Sequence, residues 1–226
     1  SNRIYPFEKI NKIKFIESST RFEMSQKQSL PGVNKFGVDE NFSIHGPKTF
    51  YGTSKLSSEF IIQEYSHAYN LKTIINRCGV IAGPWQMGKI DQGIFSYWMM
   101  HHYFKKELSY MNFGSLGKQV RDLIHVDDLS RLIIKQLASI NKINNKIYNV
   151  GGGIKSNLSL LETSNLCSEI TGNHIKIKKN NITRQNDIRL YISNINKVKK
   201  DYSWEIKNNP KNILTDIFEW IEKNET

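Results

Sequence analysis

Tyr51 and Lys55 stand four residues apart just after Pro47, in a segment whose apolar positions repeat with the period of a helix. One helical turn separates them, so both side chains leave the same face and the ammonium can favour the ionised form of the phenol. Free tyrosine titrates near ~10. A tyrosine that gives and takes protons near neutrality therefore needs such a cationic neighbour. The spacing alone equally suits an ordinary solvated helix face, because two common residues fall at that interval in many helices. Arg121 and Arg184 offer guanidinium forks that match phosphate geometry, although a single arginine is more often surface charge. His101 and His102 are adjacent, hence on different sides of a helix, and no further ligand lies at zinc-site spacing. Asp127 and Asp128 could ligate a metal in isolation; the simpler expectation is that one of them caps the helix that follows. Cys78 and Cys167 belong to no metal-type or redox-type pair and are expected as buried thiols, so no metal is expected.

The elements that must position these residues are legible in part. Thr49 is a plausible N-cap, and apolar residues recur at Leu56, Phe60, Ile61, Tyr65 and Ala68 until Asn70, which predicts a helix of about twenty residues with Tyr51 and Lys55 near its start. Residues 71–82 form a β-branched run closed by Gly83-Pro84, suited to a buried parallel strand. Residues 83–93 read as a loop, Ile94 to Lys106 as a helix, and Arg121 as the start of a short strand. Further helices are expected over Leu129 to Ala138 and Ser159 to Thr171. Strands are expected over Ile147 to Val150 and Ile175 to Lys178. A last amphipathic helix, Ile213 to Glu222, presents Ile213, Ile217 and Trp220 to a core. Residues 6–40 have turn residues but no sustained period and read as irregular loop. Gly151-x-Gly153-x-x-Ser156 lacks the third glycine of a dinucleotide fingerprint and any acidic ribose partner ~20 residues on, so it reads as a strand-to-helix turn.

The run Tyr51-Gly52-Thr53-Ser54-Lys55-Leu56-Ser57-Ser58-Glu59 closely resembles the Y-G-x-S-K-x-x-x-E stretch of the extended short-chain dehydrogenase/reductase family, which contains the nucleotide-sugar epimerases and dehydratases. Gly117-Lys118-Gln119-Val120-Arg121-Asp122-Leu123-Ile124-His125-Val126-Asp127-Asp128 resembles that family's R-D-x-I-H-V-D-D region. The run from Arg184 to Ser193 resembles its R-x-x-D-x-R-x-Y-x-x-S. Asn76-Arg77-Cys78-Gly79-Val80 running into Gly83-Pro84-Trp85-Gln86-Met87-Gly88-Lys89 is similar to the members that act at C2 of CDP-linked 3,6-dideoxyhexoses. Ser1, four residues before Tyr5, matches the family's strand-end Ser/Thr, while Ser-Asn is also a common artificial beginning of a chain.

The resemblance implies an α/β fold: the C-terminal part of a Rossmann-type doubly wound sheet in residues 1–83, with strands returning near 121–150, and a mostly substrate-binding α/β domain in 84–226. It implies an NAD-dependent nucleotide-sugar epimerase in which Tyr51, Lys55 and Ser1 are catalytic. Tyr51 would exchange the sugar hydroxyl proton, Lys55 would lower its pKa and hold the nicotinamide ribose, and Ser1 would bond the reacting oxygen. Tyr51, Lys55, Gly79 and Val80 would meet the cofactor; Arg121, Arg184 and Gln86 would meet the substrate, a CDP-linked deoxyhexose. A 4-epimerase, a dehydratase or a non-catalytic nucleotide-sugar-binding fragment stand as alternatives, the last because the glycine-rich turn that holds a pyrophosphate is not in the sequence.

Composition narrows the remaining classes. With 226 residues, 38% of them hydrophobic and 11% aromatic, the chain can bury a sizeable core. No run approaches the ~18 apolar residues of a membrane span, and a soluble cytoplasmic protein is expected. The net charge of +11 comes from scattered lysines without a recognisable nucleic-acid module, so no nucleic-acid partner is expected. A homo-oligomer is expected.

Overall fold

The computed structural model describes residues 1–89, 92–182 and 185–225; Arg184 lies outside them. The N-terminal segment is not the irregular loop its lack of period suggested. A 3-10 turn at Asn2–Ile4 leads into α1 (Phe7–Ile10), the antiparallel hairpin of β1 (Phe15–Glu17) and β2 (Phe22–Met24), and the tighter pair β3 (Val33–Asn34) and β4 (Gly37–Val38). These pieces are too short to show a period and are held by long-range packing: Ile4, Tyr5, Ile10, Val38 and Phe42 are buried against Leu190 and Tyr191. The hairpin is fastened by Arg189, whose guanidinium lies 4.3 Å from the Phe15 ring centre, 5.5 Å from Phe22 and 4.9 Å from Phe113.

Helix α2 (Phe50–Tyr69) has the expected bounds. The Thr49 hydroxyl accepts from the Gly52 N–H at 3.1 Å, and Asn70 ends the helix in the left-handed conformation at φ 52°. Then follow β5 (Ile74–Cys78), β6 (Val80–Ala82), α3 (Ile94–Tyr103), β7 (Leu108–Met111), β8 (Val120–His125), α4 (Val126–Ser139), β9 (Lys146–Val150), β10 (Asn157–Ser159), α5 (Leu160–Thr171), β11 (Ile177–Asn180), β12 (Leu190–Tyr191), α6 (Asn196–Tyr202) and α7 (Pro210–Lys223). The capping of α4 differs from expectation: His125 Nδ1 accepts from the Asp127 N–H at 3.0 Å, and neither aspartate is the cap. Asp128 is fully buried and instead accepts from the backbone N–H groups of Lys207 and Asn208, each at 3.0 Å, fixing the entry to α7. Cys167 is buried as expected, whereas Cys78 is half-buried.

The apolar run 71–82, expected as one strand, is two strands that serve different neighbours. β5 pairs in parallel with β9, Ile74 opposite Lys146 through Cys78 opposite Val150. β6 pairs in parallel with β8, Val80 opposite Leu123 through Ala82 opposite His125. β8 is also flanked by β10, antiparallel, and β12, parallel, while β7 and β11 form a separate parallel pair. Among the described residues β5 has no second strand beside it, so one of its edges is unpaired. Phe60, Ile61, Tyr65 and Tyr69 of α2 are likewise exposed. The main cluster packs Phe95, Trp98 and Met99 of α3 against Cys167 of α5 and Ile213, Leu214 and Ile217 of α7.

The change of partner occurs at Gly79, where a Cβ would stand 2.8 Å from Asp122 Oδ1. Gly151 is crowded in the same way, with Asp122 Oδ2 at 2.1 Å from its ideal Cβ position. Both glycines are small because a carboxylate sits between the strand ends. Asp122 has no exposed surface, and its Oδ2 accepts from the N–H groups of Gly153 at 3.2 Å and Ser193 at 3.1 Å. Burial pushes its carboxyl up to about 6, with Ser193 and Gly153 pulling back only part of the way. A carboxyl raised on folding contributes stability that is present at low pH and lost as pH rises through the folded value. From a model value of 3.8 to about 6, that is about 3 kcal/mol at ~1.36 kcal/mol per unit. Urea titrations of the wild type and Asp122→Asn at pH 3 and pH 7 should show the wild type losing about that much more stability over the interval; equal pH dependence in both would contradict the assignment.

Candidate active site

The first turns of α2 place Tyr51 and Lys55 as their spacing predicts. Lys55 Nζ lies 5.4 Å from the Tyr51 ring centre, and the tyrosine is 53% exposed, open to a ligand. The third expected member stands beside them. The Ser1 hydroxyl accepts from the Arg3 N–H at 3.2 Å, and the Arg3 carbonyl lies against Gly52 of α2, the residue after Tyr51.

What holds α2 in place is a buried ion pair. Arg77, on β5, donates through Nε to Glu59 Oε2 at 3.1 Å and through Nη2 to the same carboxylate at 2.8 Å. Both residues are 4% exposed. Arg77 Nη1 also donates to the Tyr5 hydroxyl at 3.2 Å, and that hydroxyl donates to Asn149 Oδ1 at 2.8 Å. Asn149 Nδ2 in turn donates to the Val38 carbonyl at 2.8 Å. Glu59 lies one turn beyond Lys55 and two beyond Tyr51, so the pair that locks the helix to the sheet sets the direction in which Tyr51 leaves it. The residues were visible in the sequence, but their pairing across eighteen positions was not.

A cavity of about 550 Å³, a size ordinary for small-molecule sites, is lined by Arg3 of the N-terminal turn but, among the described residues, by none of α2. Val80, Phe95, Trp98, Leu158 and Leu160 give it an apolar wall, and Arg121, Gln119, Asn112 and Asp187 a polar one. Arg121 is the expected phosphate ligand, and its guanidinium is held in the cavity wall by Asp187 Oδ1 at 2.9 Å and the Ile188 carbonyl at 2.5 Å. Val80 lines the cavity, whereas the size of Gly79 is required by Asp122. Gln86 serves its own loop: its amide nitrogen donates to the Ile81 carbonyl at 2.9 Å and its oxygen accepts from the Ser96 hydroxyl at 2.9 Å. Arg3 also lines the cavity, which nothing in its sequence context had indicated. Among the described residues no group of three or more His, Cys, Asp or Glu could hold a metal ion, and no helix is long and apolar enough to cross a membrane.

The parallel pairs β5–β9 and β6–β8, joined through helices, give an α/β fold of the Rossmann type. The chain belongs to the NAD dependent epimerase/dehydratase family, which it matches over residues 7–151, more than half its length. It is 27% identical over 230 aligned residues to the CDP-paratose 2-epimerase of Salmonella typhi, an alignment covering 97% of this chain and 62% of that protein. Its fold is similar to the Thermotoga maritima UDP-glucose 4-epimerase solved with UDP-glucose, with a TM-score of 0.73 and 23% identity over 89% of this chain and 60% of the other. It is also similar to the Bacillus cereus UDP-glucuronic acid 4-epimerase solved with UDP-glucuronic acid and NAD, with a TM-score of 0.72 and 19% identity, covering 88% and 58%. The chain thus spans about three fifths of the length of these relatives.

The family's cofactor is NAD, and the residues present fit one end of it. Tyr51 and Lys55 are open to solvent, and Val80 borders the adjoining cavity. No glycine-rich strand-to-helix turn for the pyrophosphate occurs in residues 1–226. The ion pair behind the site yields a direct stability test. Glu59→Ala leaves the buried Arg77 charge uncompensated and should cost about 3–5 kcal/mol. Adding Arg77→Met should restore part of that loss; chemical denaturation of the two variants reads both values, and a Glu59→Ala cost below about 1 kcal/mol would contradict the pair's role.

Proposed function

We propose that these residues form the substrate half and part of the cofactor half of a nucleotide-sugar epimerase acting at C2 of a CDP-linked 3,6-dideoxyhexose. The observation that carries this reading is the Tyr51–Lys55 pair on the first turns of α2, with Lys55 Nζ 5.4 Å from the Tyr51 ring centre and the tyrosine open to solvent. Two further observations support it: the alignment with a CDP-paratose 2-epimerase covers nearly the whole chain, and the partner switch at Gly79 lies close to a division between cofactor-side residues 1–83 and substrate-side residues 84–226.

In this reading Tyr51 takes the proton of the sugar C2 hydroxyl in its ionised form and returns it after the sugar has presented its other face. Lys55 sets its charge beside the Tyr51 ring and holds the nicotinamide ribose, and the Ser1 hydroxyl bonds the reacting oxygen. Arg121, together with Arg184, binds the diphosphate and so holds the hexose at Tyr51. NAD, when bound, supplies the acceptor and donor for the hydride that leaves and returns to C2. The protein would work as a cytoplasmic homo-oligomer.

A second reading, a nucleotide-sugar-binding fragment without catalysis, is favoured by the unpaired edge of β5 and the want of a pyrophosphate cradle. Both readings expect that residues 1–226 alone do not retain NAD, because the contacts at the nicotinamide end are too few to offset the several kcal/mol of association entropy. They part in a longer form that carries the glycine-rich turn. There the epimerase reading expects measurable turnover of CDP-paratose and a loss of 10²–10⁴-fold in Tyr51→Phe with bound NAD unchanged. Turnover above half the wild-type rate in Tyr51→Phe, or none in the wild type, would refute it.

A further inference from the structure

Gln119 stands just before β8 and lines the cavity, yet only 6% of it is exposed. Its amide nitrogen donates to the carbonyl of Met111 at the end of β7. A carbonyl can only accept, so this bond fixes which way round the amide lies and leaves the amide oxygen as its other end. That oxygen, Oε1, has no hydrogen-bond partner among the described residues. A buried acceptor without a donor is costly, and native chains keep few of them.

The two walls of the cavity say what kind of donor suits it. Phe95, Trp98, Leu158 and Leu160 are apolar, and Gln119 belongs to the polar wall. Of the three parts of a nucleotide-sugar, the diphosphate and the hexose are polar all round, whereas the base has apolar faces and confines its donors and acceptors to its edge. A base therefore suits a cavity with one wall of each kind. An amide oxygen accepts from an amino group and opposes a carbonyl, and among the pyrimidines cytosine carries an amino group at C4 where uracil and thymine carry a carbonyl.

We propose that Gln119 reads the base of the nucleotide in this cavity, its Oε1 accepting from the C4 amino group of cytosine. The proposal rests on the nucleotide-sugar reading of the cavity and adds to it the residue that chooses the base. Selectivity comes as much from the wrong base as from the right one, because a uracil carbonyl set against Oε1 puts two buried acceptors together with no proton between them. The amide cannot turn to offer its nitrogen instead without giving up Met111.

The test is calorimetric titration of CDP, UDP and the CDP analogue that lacks the C4 amino group into residues 1–226, in the wild type and in Gln119→Leu. The proposal expects the wild type to bind CDP at least tenfold more tightly than the other two, and Gln119→Leu to bind all three about alike. Leucine also gives up the bond to Met111, so a second measurement leaves the chain unchanged: the side-chain amide signals of Gln119 in the 15N-labelled wild type should move with CDP and not with the analogue. Equal affinity of the wild type for CDP and UDP, a tenfold preference kept in Gln119→Leu, or equal movement of the amide signals would overturn the role of Gln119 and leave the nucleotide site standing. Failure of the wild type to bind any of the three would overturn the nucleotide reading itself.

Discussion

The geometry of the site depends on one buried ion pair, Glu59 with Arg77. A helix that exposes most of its apolar residues has little hydrophobic packing to fix its rotation, and α2 leaves Phe60, Ile61, Tyr65 and Tyr69 in the open. What fixes it is a carboxylate and a guanidinium that cannot leave each other without leaving a bare charge in the interior. The Arg77 guanidinium also donates through Nη1 to Tyr5, so the same group also places the N-terminal turn that carries Ser1 and Arg3. Three residues expected to work together, Ser1, Tyr51 and Lys55, therefore inherit their relative positions from groups that take no part in the chemistry.

A second buried carboxylate settles where the sheet ends and the cavity begins. Asp122 stands at the point where β5 gives way to β6, and it excludes any side chain at Gly79 and Gly151. Past Gly79 the chain turns to β8 and delivers Val80 to the cavity wall beside Arg121. Both carboxylates trade stability for placement, since each is expensive to bury, and Asp122 keeps its Oδ1 without a hydrogen-bond partner among the described residues.

Helix α2, its caps, the helices α3, α5 and α7 and the strand at Arg121 were legible because each carries a period or a capping residue that local sequence can show. The split of residues 71–82 was not, because an apolar β-branched run looks the same whether it serves one neighbour or two. β1 to β4, β10 and β12 are two or three residues long, and tertiary hydrogen bonds rather than propensity define them. His125 replaced the aspartates as the cap of α4 because Asp128 is drawn inward by the 207–208 backbone. At the site, the Tyr51–Lys55 face followed from spacing, and Arg121 from its strand and from the family resemblance. The pairing of Glu59 with Arg77 and the reach of Arg3 required the fold, since contacts between residues far apart in sequence leave no local pattern.

The central claim is that the buried pair aims Tyr51 at a sugar whose diphosphate rests in the cation-lined cavity. A crystal structure of this chain with CDP-paratose tests it most directly. The account predicts the diphosphate at Arg121 and the hexose C2 hydroxyl within hydrogen-bonding distance of the Tyr51 hydroxyl, with Glu59 and Arg77 still paired. A nucleotide bound in this cavity with its hexose directed away from Tyr51, or bound elsewhere on the chain, would contradict it.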